Sequence, residues 1–405
     1  MLSEPVYNAP RMLIVWSWLP SNNTGAGILM RRLFAGYPSD RLWALTSTRN
    51  KGTVASFDPI PSPERQVSVP EIQIHHRWID KLGVVLNYML IPWTVWRGLR
   101  LVRKEKIEAI FTVPWDHFTI AAYFIHKITG RPIYMYIMDD PAGSRRFGGF
   151  QPAAYALLMP RIVRACKRTW GVSDGMCDYF GRAYGVKCLP LLPLVDIDSF
   201  GKKSARGPVR ADDTFHIVFT GSIYSAQVDA VRRLVRVVDQ EATRNGSAPK
   251  SMRLTLYTSS PAAALDKMGL SGRSVRRSEV PHDDVASALA EADAAFLPLS
   301  FEPDMRHIVE TSLPSKIAEY LAAGLPILAH GPASSTVARY CREHECGLVV
   351  DEPDETALRD ALHNLKNDPS LRRELSAKAL VAAKKNHDGS RIAPAFLGLL
   401  GDIGT

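Results

Sequence analysis

The stretch Leu313–Leu328, LPSKIAEYLAAGLPIL, decides how this chain folds. Pro314 and Ser315 have the chemistry of a helix start, and Ile317, Tyr320 and Leu321 follow as an apolar stripe at helical spacing. Gly324 predicts the end of that helix. Pro326, Ile327 and Leu328 form an apolar run too short for a second helix, so they predict a buried strand. Lys316 and Glu319 are three apart and share a helix face. A helix start attracts phosphate through its free amides and its dipole, and Lys316 in the first turn adds a full positive charge. One turn later, the Glu319 carboxylate suits a vicinal diol such as that of ribose. The pair therefore predicts a grip for a ligand carrying both phosphate and diol. Without its flanking residues it would read as an ordinary helical ion pair worth about 0.3–0.5 kcal/mol.

Outward from this stretch, short apolar runs alternate with amphipathic segments along both halves of the chain, the pattern of parallel sheets covered by helices. In the second half strands are predicted at His216–Phe219, Arg253–Tyr257, Ala294–Leu299, Pro326–Ala329 and Gly347–Val350. In the first half they fall at Met12–Trp16, Leu42–Thr46, Ala109–Val113, Ile133–Met138, Thr169–Val172 and Leu189–Leu192. With 405 residues the chain exceeds what one core usually supports, so two α/β domains are expected. The polar run Asp196–Thr214, DIDSFGKKSARGPVRADDT, reads as the linker, and the domains are placed at 1–198 and 199–387.

With these residues assembled, LPSKIAEYLAAGLPIL resembles the donor-binding signature of GT-B glycosyltransferases, in particular the family 4 type and its bacterial polysaccharide and glycolipid relatives carrying PSK and EYLAAG. The resemblance continues through FTGSIYSAQVDAVRRLV (219–235), ADAAFLPLS (292–300) and CGLVVDEPDETALRDAL (346–362). In the first half it rests on an early glycine loop, GRPIYMYIMDD (130–140) and LPLVDIDSF (192–200). It implies two Rossmann-like, doubly wound domains facing across a cleft, with a C-terminal helix, 388–405, returning to the first. It also implies that Glu319 binds ribose and that Ser315 and Lys316 meet the diphosphate of a UDP- or GDP-linked sugar. That donor is a substrate, and neither cofactor nor metal is implied. The family's first glutamate, a contact for the donor sugar, falls at Thr311, with Glu310 beside it. Gly221-Ser222 would face the diphosphate, and a place often basic in the family falls near Gln227. Arg306 and His307 are reasonable contacts for the sugar or phosphate.

Other candidates stand at predicted strand ends, where doubly wound sheets present their chemistry. Gly25 and Gly27 close the polar loop after the first strand, and like Gly221 they would let amides approach a phosphate or simply form a turn. Asp116 and His117 follow FTVPW, and Asp139 and Asp140 follow YMYIM. One of these carboxylates would serve as general base if the transfer inverts the anomeric centre; a retaining transfer is thought to use the departing diphosphate. Asp140 also precedes a proline and would suit a turn.

The balance of 50 Lys and Arg against 41 Asp and Glu, a net charge of +9, favours acidic partners such as sugar nucleotides or anionic lipid; no nucleic-acid motif is present. Five cysteines without a CxxC pair argue against a disulfide scaffold or structural zinc, and the polar start Met1–Arg11 lacks a secretory signal, so the cytoplasm is the expected location. Leu82–Trp96 is broken by Asn87 and Pro92 and is too short to span a bilayer. Beyond it, Arg97, Arg100, Arg103 and Lys104 follow Trp93 and Trp96 in the manner of an interfacial helix, and Arg161, Arg164, Lys167 and Arg168 form a second basic stripe. Either stripe would also suit a solvated helix face; together they predict contact with the inner face of the plasma membrane. The leading expectation is transfer of a sugar to a lipid-linked or polysaccharide acceptor. A nucleotide-sugar epimerase or a non-catalytic scaffold of the same fold are the alternatives.

Overall fold

The computed structural model describes residues 9–20, 24–48, 60–72, 80–140, 153–203, 214–244 and 252–401. Within the expected glycine loop and linker, residues 21–23 and 204–213 lie outside the described residues, as do residues 1–8. The chain forms two compact units, residues 1–192 with 389–405, and residues 193–388.

The first unit runs β1 (Met12–Val15), α1 (Gly25–Leu33), β2 (Leu42–Ser47), β3 (Gln66–Val69), α2 (Asp80–Met89), α3 (Ile91–Lys104), β4 (Ala109–Thr112), α4 (His117–Thr129), β5 (Ile133–Ile137), α5 (Ala153–Ala165), β6 (Arg168–Gly171), α6 (Asp174–Tyr184) and β7 (Cys188–Pro190). The second runs α7 (Ile197–Lys203), β8 (Phe215–Thr220), α8 (Ser225–Arg244), β9 (Met252–Tyr257), α9 (Ala262–Lys267), β10 (Val275–Ser278), α10 (Val285–Ala290), β11 (Ala294–Pro298), α11 (Arg306–Thr311), α12 (Lys316–Ala322), β12 (Ile327–His330), α13 (Thr336–His344), β13 (Gly347–Val350), α14 (Glu355–Asn367) and α15 (Pro369–Asn386). The last helix, α16 (Gly389–Gly401), belongs to the first unit. There Phe396 packs against Phe34, Phe111 and Trp170 at centroid distances of 5.9, 6.1 and 4.9 Å.

The sheet orders are β3-β2-β1-β4-β5-β6-β7 and β10-β9-β8-β11-β12-β13, with parallel pairings between these strands. Strands covered by helices on both faces need continuous apolar runs. MLIV, AIFT, IYMYI, FHIVFT and AAFLP are accordingly buried along their whole length. The edge strands β3, QVSV, and β10, VRRS, are mostly half-buried or exposed.

Strand order reverses between β1 and β4 in one unit and between β8 and β11 in the other, and ligands of doubly wound sheets bind beyond the carboxyl ends at such points. At the second reversal the sheet parts. β8 pairs with β9 through its last residue, Thr220↔Tyr257, but with β11 only at Ile217↔Ala294 and Val218↔Ala295.

Two features differ from the sequence reading. Ile197–Lys203, expected within an open linker, is helical and packs with α10 and α12, because Phe200 finds a buried place there. Strands β3 and β10 had no counterpart among the predicted strands. No helix among the described residues is long and apolar enough to cross a membrane.

Candidate active site

In the second unit, the end of β8 and the start of α12 are brought together. Gly221 sits at φ 91°, a conformation that suits glycine, and its N–H donates to Tyr257 O at 2.8 Å. A Cβ on Gly221 would lie 3.6 Å from Lys316 Nζ. The bareness of Gly221 therefore leaves no side chain between its turn and the ammonium. Below it, Nζ rests 3.6 Å from the centroid of the buried Phe219 ring. Burial pushes the Lys316 ammonium down to about 7, and the charge of nearby Glu319 offsets only part of that effect. Removing water costs more here than one carboxylate and one ring face return. An arriving anion would reverse that balance.

Glu319 is buried on the same helix, one turn after Lys316. Ser315 occupies the cap position of α12 but makes no side-chain cap bond. Because α12 has only 7 residues, its dipole is small and the charge of Lys316 carries more of any anion binding. Ser222 is exposed beside Gly221. Gln227, near the start of α8, is fully buried, and neither end of its amide has a hydrogen-bond partner.

On helix α11 both side chains at the place expected for the first glutamate are engaged within the protein. Thr311 is buried and donates its hydroxyl back to His307 O at 2.6 Å, inside its own helix. Glu310 is gripped by Arg306, Nε to Oε1 2.8 Å. Partial burial raises its pKa, but hydrogen bonds from Arg306 and Ser334 and the charge of Arg339 outweigh burial and hold the carboxyl below its usual range. Arg306 is exposed and His307 half-buried on the same short helix.

In the first unit, Gly25 and Gly27 open α1, where the Thr24 hydroxyl accepts from Gly27 N at 3.0 Å, so that amide is already engaged. Asp116 caps α4, accepting from Phe118 N at 2.9 Å. His117 is 2% exposed, and its Nε2 has no hydrogen-bond partner. Asp139 is half-buried beyond β5, while Asp140 is 3% exposed. Four tyrosines lie within the electrostatic reach of Asp116 or Asp140. Burial raises the Tyr179 hydroxyl, and its hydrogen bond to Asp140 adds to the shift. Tyr88, Tyr155 and Tyr184 are likewise raised by burial first, with further contributions from Asp116 at Tyr88, from both carboxylates at Tyr155 and from Asp140 at Tyr184. The sequence reading did not single out these tyrosines, which lie on α2, α5 and α6, nor the Phe219 seat of Lys316. The spacing of Lys316 and Tyr320, four apart on one helix, was the available signal for the second-unit cluster. Among the described residues no group of three or more His, Cys, Asp or Glu side chains is placed to hold a metal ion.

Residues 214–368 match the family model described as glycosyl transferases group 1. No curated protein sequence matches the chain. Among solved structures, sucrose-phosphate synthase from Thermosynechococcus elongatus is similar at 14% identity, covering 96% of this chain and 98% of its own, with a TM-score of 0.69. Anabaena HepE, solved with UDP-glucose, is similar at 12% identity over 96% of this chain and 99% of its own, with a TM-score of 0.66. WaaG, a glycosyltransferase involved in lipopolysaccharide biosynthesis, is similar at 14% identity over 96% and 99%, with a TM-score of 0.59. The fold is that of GT-B glycosyltransferases, and the second unit carries a group 1 glycosyltransferase domain.

Proposed function

We propose that this GT-B glycosyltransferase moves a hexosyl group from a UDP- or GDP-linked donor to a lipid-linked or polysaccharide acceptor, without a metal, at the inner face of the plasma membrane. The observation that carries the donor reading is the Lys316 ammonium beside the bare Gly221 turn, with Glu319 one turn along the same helix. Lys316 neutralises the diphosphate as it departs, and Glu319 accepts from the ribose hydroxyls. Gln227 offers an unpaired amide near the start of α8 in place of a second cation. The similarity to HepE, which binds UDP-glucose, agrees with a nucleotide-sugar donor.

If the anomeric centre inverts, Asp139, Asp140 and Asp116 are the candidate bases at the strand ends of the first unit; Asp116 accepts from Phe118 N and Asp140 is hydrogen-bonded by Tyr179.

Membrane contact is supported by the outer face of α3, where Trp93, Trp96, Arg100 and Arg103 are all exposed. Trp93 and Trp96 lie 4.9 Å apart, and Arg100 stands 5.9 Å from the Trp96 ring. Neighbouring α4 adds exposed Phe124 and Ile128, and α5 adds exposed Leu157, Arg161 and Arg164. Apolar and aromatic side chains beside basic ones match the layering of an anionic bilayer surface.

Calorimetric titration with UDP and with GDP tests the donor reading. Glu319→Ala should weaken the better ligand at least tenfold; equal affinity in variant and wild type would sink the ribose assignment.

A further inference from the structure

Successive residues of β8 point their amides to opposite sides of the strand. Gly221 N reaches Tyr257 O on the β9 side, so the amide of Thr220 faces the side from which β11 has already departed. A buried N–H left there would be costly. It donates instead to the hydroxyl of Tyr320 at 2.8 Å, and Thr220 Oγ1 lies 3.1 Å from the same oxygen. Tyr320 is fully buried, and it stands four residues after Lys316, on the same face of α12. Two residues of one helix therefore hold two successive residues of β8: Lys316 on the ring of Phe219, and Tyr320 on the amide of Thr220. The next residue is Gly221, at φ 91°.

We infer that Tyr320 is a positioning residue: its hydroxyl fixes the height of the Gly221 turn over the Lys316 ammonium and so sets the affinity for the donor diphosphate. The inference rests on Lys316 binding that diphosphate. The apolar ring of Tyr320 would suffice to fill the core. The hydroxyl has a different task, because it substitutes for the strand partner that β8 lacks at the point where the sheet parts. With a phenylalanine in its place, the volume is kept while the Thr220 N–H loses its acceptor, and the turn must shift or admit water. The ammonium and the turn would then no longer be held at one separation.

The test uses the full chain, UDP as probe, and the variants Tyr320→Phe, Thr220→Val, Lys316→Met and the double variant Tyr320→Phe/Lys316→Met. UDP affinity should fall about tenfold in Tyr320→Phe, and less in Thr220→Val, which keeps the amide bond. Because Tyr320 acts through Lys316, the double variant should bind no more weakly than Lys316→Met alone. Amide hydrogen exchange at Thr220 and Gly221 should quicken in Tyr320→Phe, while that of β12 stays as in wild type. A lower melting temperature with unchanged UDP affinity would reduce Tyr320 to a core residue, and additive losses in the double variant would also overturn the inference. If Tyr320→Phe does not fold, slow exchange of the Thr220 amide in the wild type should still report its bond to Tyr320, and Thr220 exchange as fast as that of an exposed loop amide overturns the inference. Wild-type protein that binds neither UDP nor GDP would refute the donor reading; exchange at Thr220 that is unaltered in Tyr320→Phe would refute the clamp itself.

Discussion

Raising the pH should weaken donor binding, because the charge assigned to the diphosphate sits on a lysine whose pKa burial has lowered to about 7. The sign follows from proton counting. Above that pH the free protein has released the Lys316 proton, and a bound diphosphate, which favours the ammonium, must draw it back from solvent. A diphosphate diester such as UDP-glucose keeps a constant charge through this range, so the linked proton belongs to the protein. The charged fraction of Lys316 falls from roughly three-quarters at about pH 6.5 to a few per cent at about pH 8.5, so the association constant should fall roughly 20-fold, ~2 kcal/mol. Calorimetry in two buffers of different ionisation enthalpy should count nearly one proton taken up per UDP-glucose at about pH 8. Lys316→Arg supplies the control, since a guanidinium stays charged throughout and its slope should vanish whatever its absolute affinity. A wild-type affinity that is flat from about pH 6.5 to 8.5, or an equal slope in the arginine variant, would refute the assignment of the charge to Lys316.

Gly221→Leu should reduce UDP affinity by more than tenfold, because the backbone is strained at φ 91° and the side chain would cover the ammonium; titration calorimetry reads both effects together. Trp93→Ala with Trp96→Ala, and separately Arg100→Glu with Arg103→Glu, should each abolish flotation with anionic liposomes, and wild-type flotation should weaken as salt rises; unaltered flotation would leave α3 an ordinary solvated helix. Gly347→Ala should lower the melting temperature sharply, because its Cβ would stand 2.1 Å from Ile327 O in the neighbouring strand. Acid should also destabilise the fold. Burial depresses His330 and His387 to about 4, so the unfolded chain binds more protons between about pH 6.5 and 4, and stability should fall through that window by up to ~3 kcal/mol per histidine, as urea unfolding at stepped pH would measure.

The central strands were legible in the sequence because helices cover both their faces, which demands unbroken apolar runs such as FHIVFT and IYMYI. The strands that escaped, β3 and β10, each stand at one edge of a sheet; the opposite edges, β7 and β13, were predicted. β3 and β10 have a neighbour on one side only, so QVSV and VRRS can carry polar and charged residues and read as loop. At the site, Lys316, Glu319 and Gly221 were legible as residue types suited to phosphate and ribose. The seat of Lys316 on Phe219 and the bond from Thr220 to Tyr320 were not, because they join residues about one hundred positions apart whose pairing depends on where β11 leaves β8. The tyrosines near Asp116 and Asp140 come from three separate helices and were hidden for the same reason. Glu310 is a different case: its position beside the family's glutamate place was legible, but its pairing with Arg306 four residues earlier depends on helix α11, which the sequence reading did not predict.

The return of α16 to the first unit has a consequence for biosynthesis. Residues 193–388 form a continuous unit that can close as soon as it leaves the ribosome. The unit begun by β1 cannot be completed then, because Phe396, which fills the space among Phe34, Phe111 and Trp170, has yet to be made. The part of the protein synthesised first is therefore the part finished last, since the place among Phe34, Phe111 and Trp170 stays unfilled until α16 docks.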